Sequence, residues 1–146
     1  MSGIGATSET RGAAVVRMLG NASSEGLAIR PRLYGICAGI SNYTGDQIDL
    51  AYAAKDAEDF ASALRQSGEL LFGKESIDIT LIHGSGACEA PSRTAILKAL
   101  ENLRNSRPGD VVVVYLSGHG IARFDEFFFL CAEASDAAAE YLRDRN

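Results

Sequence analysis

The sequence predicts an α/β fold, a mostly parallel sheet with helices packed on its faces, and three observations carry that prediction. Short apolar runs at 33–40 (LYGICAGI), 77–82 (IDITLI) and 110–117 (DVVVVYLS) have the length and β-branched content of buried strands. Segments with helically spaced apolar residues separate them. A strand–helix–strand–helix–strand order of this kind gives parallel strands joined by right-handed crossovers, in three layers.

The first run is closed by the polar loop SNYTGD. Leu50, Ala53, Ala54, Ala57, Phe60, Ala61 and Leu64 then fall on one helical face, with Gly68 placed where that helix is expected to stop. After the second strand, His83-Gly84-Ser85-Gly86 turns the chain. Ser92 is placed to cap a helix whose face is Ile96, Ala99, Leu100 and Leu103, and Pro108-Gly109 is expected to end it. The valine run of the third strand belongs in the middle of the sheet, buried on both sides. EFFFLCAE, at 126–133, reads as a further strand or half of a hairpin.

Composition bounds the rest. The chain has 146 residues, the length of one ordinary domain, and a formal charge of −5 from 14 basic and 19 acidic residues. No basic field of the kind that holds a phosphate backbone is present, so nucleic acid is not an expected partner. Cys37, Cys88 and Cys131 are odd in number and lack CxxC spacing, which predicts neither a disulfide framework nor a zinc site and fits a reducing, cytoplasmic setting. Residues 1–32 are rich in Gly, Ala and Ser, with Arg11, Arg17, Arg30 and Arg32 against Glu9 and Glu25. They are expected to form a flexible leader or a removable prosegment, leaving 33–146 as the domain. The apolar patch AAVVRML is too short to cross a membrane and poor as a signal-peptide core.

The valine run ends in Ser-Gly-His-Gly. In an α/β sheet, catalytic groups gather where loops leave the carboxyl ends of the strands, and His119 sits at such an end. Its flanking glycines, Gly118 and Gly120, are expected to let the backbone turn sharply and to leave their amides open to a substrate.

YGICAGISNY, YAAKDAEDFASAL, PSRTAILKALENL and DVVVVYLSGHG together resemble the large-subunit part of a caspase-like cysteine peptidase, nearest to bacterial caspase homologues and metacaspases, from about Leu33 to Glu133. The resemblance implies a partial caspase-like α/β/α fold with His119 as catalytic base and the Gly120 amide in the oxyanion hole. By the same resemblance Asp56 and Ser117 line a pocket for a basic residue before the scissile bond. Lys55 departs from the family pattern, which has Asn there. The physical chemistry agrees, since a thiol attacks as its thiolate and needs a neighbouring imidazole to take the proton. Caspase-type enzymes place the nucleophilic cysteine about 50 residues beyond the histidine, whereas this chain runs only to Asn146 and has no QAC or DxCHS sequence. Cys37 lies inside a strand and Cys88 in a distal loop; Cys131 reads as a small core residue. The expectation is a histidine-bearing part completed by a downstream small-subunit segment that carries the cysteine, inactive alone, with a protein or peptide as substrate.

Weaker motifs yield little. Ser117 and His119 are two apart at a strand end, and no GxSxG elbow supports a serine hydrolase. His83 reads as a turn residue. Gly84 and Gly86 precede no GK[ST] phosphate loop, and the acids after SGHG are too scattered for calcium, so no metal or cofactor is expected. Two function classes follow: an endopeptidase cleaving after Arg or Lys, made as a zymogen and processed at arginines such as Arg30, Arg32, Arg143 and Arg145, or a catalytically inactive caspase-like interaction module.

Overall fold

The computed structural model describes residues 13–18, 30–123 and 126–135. Among these, the chain runs β1 (Ala13–Met18), β2 (Leu33–Gly39), α1 (Ala53–Phe72), β3 (Ile77–Ile82), α2 (Arg93–Glu101), β4 (Val111–Ser117), β5 (Gly120–Arg123) and β6 (Glu126–Phe129). The main sheet has the order β1-β4-β2-β3, and β5 and β6 form a separate hairpin.

The three expected strands form within a residue of their predicted limits, with β2 parallel to both β3 and β4. Alternation along β2 sends Gly35 and Gly39 toward α1, where a Cβ on Gly35 would lie 3.0 Å from Leu64. Ile36, Ala38 and Ile40 point the other way and join Ile82, Ala95, Ile96 and Ala99 in one buried cluster beneath α2. A helix therefore covers each face of the sheet. The family resemblance and the element order both led to this three-layer α/β/α arrangement.

Four details differ from expectation. Ala13–Met18 fell within the expected flexible leader, yet form a strand antiparallel to β4, with Ala13 opposite Leu116 and Met18 opposite Val111. Helix α1 does not stop at Gly68: that glycine is buried because Leu33 occupies the space a Cβ would need, at 2.6 Å, and the helix continues to Phe72. It ends at Gly73, whose φ of 83° only glycine adopts readily and whose amide donates to the Glu69 carbonyl. Helix α2 gives way to a 3-10 turn at Asn102–Asn105 before Pro108 is reached, although Ser92 does cap its start by accepting from the Ala95 amide at 3.1 Å. Lastly, the strand buried along its whole length is β2, not the valine run. The cause is position, since β2 lies between two parallel neighbours and under both helices.

Asp110 ties the starts of β2 and β4 together. Its buried carboxylate accepts from the Arg32 and Arg107 amides, each at 2.8 Å, and the Val111 amide donates to the Arg32 carbonyl. At the opposite end of β2, Gly39 lies directly under α1. A Cβ there would run into the Ala53 carbonyl and lie 2.7 Å from the Ala57 methyl. The Gly39→Ala variant is accordingly expected to lose about 1–3 kcal/mol of stability or more through overpacking against backbone. An unchanged urea midpoint would contradict this close helix–sheet contact.

Candidate active site

The carboxyl ends of β2 and β4 meet because the two strands pair in register and the Ile40 amide extends the ladder to the Ser117 carbonyl at 2.9 Å. Their following loops therefore rise side by side. His119 leaves β4 and is received by the loop that leaves β2. Its amide donates to the Tyr43 hydroxyl at 2.9 Å, and its Nε2 lies 2.9 Å from the Ile48 carbonyl. The Tyr43 ring sits 5.5 Å from the imidazole, tilted by 42°. A carbonyl only accepts, so Nε2 must carry the proton and Nδ1 is the nitrogen left for proton transfer. His119 is half-buried, held at backbone and ring, on a loop at a strand end.

Sequence reasoning missed both partners. A backbone carbonyl such as that of Ile48 leaves no residue-type signature. Tyr43 left a weak one, an aromatic side chain within the polar loop SNYTGD.

The chain bends at Gly118, as expected of a glycine-flanked histidine, though neither of the flanking glycines takes a positive φ. What they supply is room: a Cβ on Gly118 would lie 2.9 Å from the Tyr43 hydroxyl and 3.0 Å from the Phe129 ring, and one on Gly120 would run into the ring of Phe127. The amide of Gly120 has a defined direction. Because the Leu130 amide donates to the His119 carbonyl at 2.9 Å and Gly120 stands opposite Phe129, alternation in an antiparallel ladder turns the Gly120 N–H away from β6.

On the α1 side of the same sheet end, Asp56 and Ser117 share a neighbour. Tyr115 stacks on Phe60 with ring centroids 4.2 Å apart. Burial pushes its phenol up, the Asp56 carboxylate adds to that, and a hydrogen bond with Ser117 opposes it. Asp56 lies in the first turn of α1 and is exposed, whereas Ser117 is buried. Lys55 does not neutralise this corner, for its ammonium is engaged along the outer helix face by Asp59 and, at 3.7 Å, by Glu58. Ser117 and His119 look to different neighbours and share no hydrogen bond, which removes the serine-hydrolase arrangement.

The three cysteines are all free. Cys37 is fully buried in β2, and burial pushes its thiol up to about 11, with Arg65 partly opposing. Burial also raises the Cys131 thiol; Glu133 adds to this and Arg93 opposes it. Cys88 directs its thiol to the Leu81 carbonyl at 3.2 Å. An attacking thiol needs the reverse of the shifts at Cys37 and Cys131, toward the thiolate. His83 accepts from the Ser85 amide within its own turn, and among the described residues no group of three His, Cys, Asp or Glu side chains could hold a metal ion. Likewise no described helix is long and apolar enough to cross a membrane.

A caspase-domain family model matches residues 35–145, so the chain belongs to the caspase-domain peptidase family. Neither the curated proteins nor the solved structures include a significant match. The matched region begins within β2 and runs past β6, and it includes both loops that hold His119.

The raised Cys37 thiol has a thermodynamic consequence. The folded chain holds that proton more tightly than an unfolded one, whose thiol titrates near its ordinary value of 9.0, so the associated stability is present below pH 9.0 and lost as pH rises toward about 11. Urea midpoints measured across this window are expected to fall, and to fall less in Cys37→Ala. An identical decline in both proteins would contradict the burial of this thiol.

Proposed function

We propose that the chain is the histidine-bearing part of a caspase-like cysteine endopeptidase that cleaves after Arg or Lys. The observation that carries this reading is His119 itself: an imidazole at a strand end, fixed through Nε2 with Nδ1 left open, in a chain of the caspase-domain family. In the proposed reaction Nδ1 takes the proton of a cysteine thiol as sulfur bonds to the scissile carbonyl carbon. The Gly120 amide donates to the oxyanion so formed. The tetrahedral species collapses with cleavage of the C–N bond, the leaving amine takes the proton from His119, and water then hydrolyses the thioester with His119 again as base. One well-aimed oxyanion donor is worth about 3 kcal/mol of barrier.

The nucleophile is proposed to come from a small-subunit segment downstream, since Cys37 and Cys131 have raised thiols and Cys88 faces a backbone carbonyl. For specificity, Asp56 with Ser117 beside Tyr115 offers a carboxylate for a guanidinium, which can be bidentate and is therefore preferred to an ammonium. Activation by processing fits the same preference. Arg32 is a poor site because its amide is held by the Asp110 carboxylate and its carbonyl by the Val111 amide, and the exposed Arg30 precedes Pro31. Processing is accordingly assigned to Arg143 or Arg145, which lie outside the described residues. Three free cysteines favour a reducing, cytoplasmic setting. The alternative, an inactive caspase-like module that binds a partner, draws support from the same unactivated thiols.

Kinetics on the chain together with its cysteine-bearing segment decide between these readings. The peptidase reading expects turnover of arginyl peptides, with His119→Ala lowering kcat by about 10²–10⁴-fold in a protein that still melts cooperatively. Absence of turnover would favour the inactive module, and full activity in His119→Ala would overturn the assignment of His119 as base. Asp56→Ala is expected to cut kcat/KM for arginyl substrates by about 10–100-fold, the worth of a hydrogen-bonded charge. A peptide-library preference for Asp, or for no residue in particular, would overturn the basic pocket.

A further inference from the structure

Two of the contacts that hold His119, at its amide and at its ring, come from opposite ends of one loop. Tyr43 supplies a hydroxyl to the histidine amide and Ile48 supplies a carbonyl to its ring. An imidazole held this way is only as well oriented as the loop is closed, because a loop free to breathe would move the carbonyl off Nε2 and let the ring turn. The loop is closed twice. The Leu50 amide donates to the Ser41 carbonyl at 2.8 Å, and inside that bond the Tyr43 amide donates to the Asp49 carboxylate, also at 2.8 Å. The outer face of the loop is tied as well, since the Thr44 and Gly45 amides donate to the Ala132 and Ala134 carbonyls at 2.8 and 3.0 Å.

Asp49 has no other evident task. It caps no helix, for α1 starts at Ala53 with no side-chain cap and the Ser41 hydroxyl serves the Ala54 amide instead. It forms no ion pair among the described residues. Its carboxylate is exposed, yet it reaches back six residues to the one residue whose hydroxyl holds the His119 amide. Tyr43 in turn is buried, and its hydroxyl fills the space that Gly118 leaves open by lacking a Cβ.

We infer that Tyr43 and Asp49 are positioning residues for His119, Asp49 closing the loop and Tyr43 anchoring the histidine backbone, so that the ring keeps Nε2 on the Ile48 carbonyl and presents Nδ1 to the thiol. This rests on the assignment of His119 as base, but its test does not require a nucleophile. The chain contains two histidines, so nitrogen-15 NMR of the imidazoles gives two resolvable patterns, and His83→Gln assigns them. With the rings neutral, wild-type His119 should show the Nε2–H tautomer in excess by about tenfold, the ratio one net hydrogen bond supports. That excess should fall to the modest Nε2–H preference of an unconstrained histidine in Asp49→Ala and in Tyr43→Phe, and be kept in Asp49→Asn, whose carboxamide oxygen accepts the same amide.

A merely structural role would lower the melting temperature without moving the tautomer ratio. Should Tyr43→Phe fail to fold, the exposed Asp49 pair of variants decides alone. Wild-type ratios in folded Asp49→Ala overturn the inference while leaving the peptidase reading intact, since that reading is tested by loss of turnover in His119→Ala. A wild-type His119 without the Nε2–H excess overturns the inference too.

Discussion

The parallel pairing of β2 with β4 is the constraint on which the site depends. β2 sends the chain outward through α1 to β3, and the chain returns through α2 to β4 on the other side of β2. The loops leaving β2 and β4 therefore part from neighbouring strands at a place where the strand order reverses, which is where open α/β sheets form their crevices. Register fixes the rest. With Gly39 opposite Ser117 and the Ile40 amide on the Ser117 carbonyl, a shift of one residue would turn every side chain of β4 to the other face and carry His119 away from Tyr43 and Ile48.

That pairing is held from both sides by small residues and from its start by one buried carboxylate. Gly35, Gly39 and Gly68 let α1 lie close on β2, so the first turn of the helix brings Asp56 to the same sheet end as Ser117 and Tyr115. Asp110 fixes the relative height of β2 and β4 through two backbone amides. A buried carboxylate satisfied in this way contributes strongly where it stands and is costly to leave unpaired. The two loops that hold His119 are thus brought together by contacts remote from the histidine.

Much of the scaffold was legible in the sequence. β-Branched runs bounded by polar turns located β2, β3 and β4, and Ser92 marked the start of α2, because these signals are local. The misses share a cause of the opposite kind. β1 lies in a Gly-, Ala- and Ser-rich segment whose strand state depends on a distant partner, and α1 runs through Gly68 because Leu33 needs the vacant space. At the site, SGHG and the family resemblance pointed to His119, Gly120, Asp56 and Ser117. The Ile48 carbonyl was invisible in the sequence, and so was the spatial reason for Gly118 and Gly120.

The proposed chemistry depends on which imidazole nitrogen faces the sulfur. A crystal structure of the chain assembled with the proposed cysteine-bearing segment and bound to a peptidyl-arginine aldehyde measures this directly. The expected result is a thiohemiacetal whose oxygen lies within about 3 Å of the Gly120 amide nitrogen, with His119 Nδ1 toward the sulfur, Nε2 still on the Ile48 carbonyl and the guanidinium at Asp56. An imidazole turned to present Nε2 to the sulfur, or an inhibitor oxygen remote from Gly120, would contradict it.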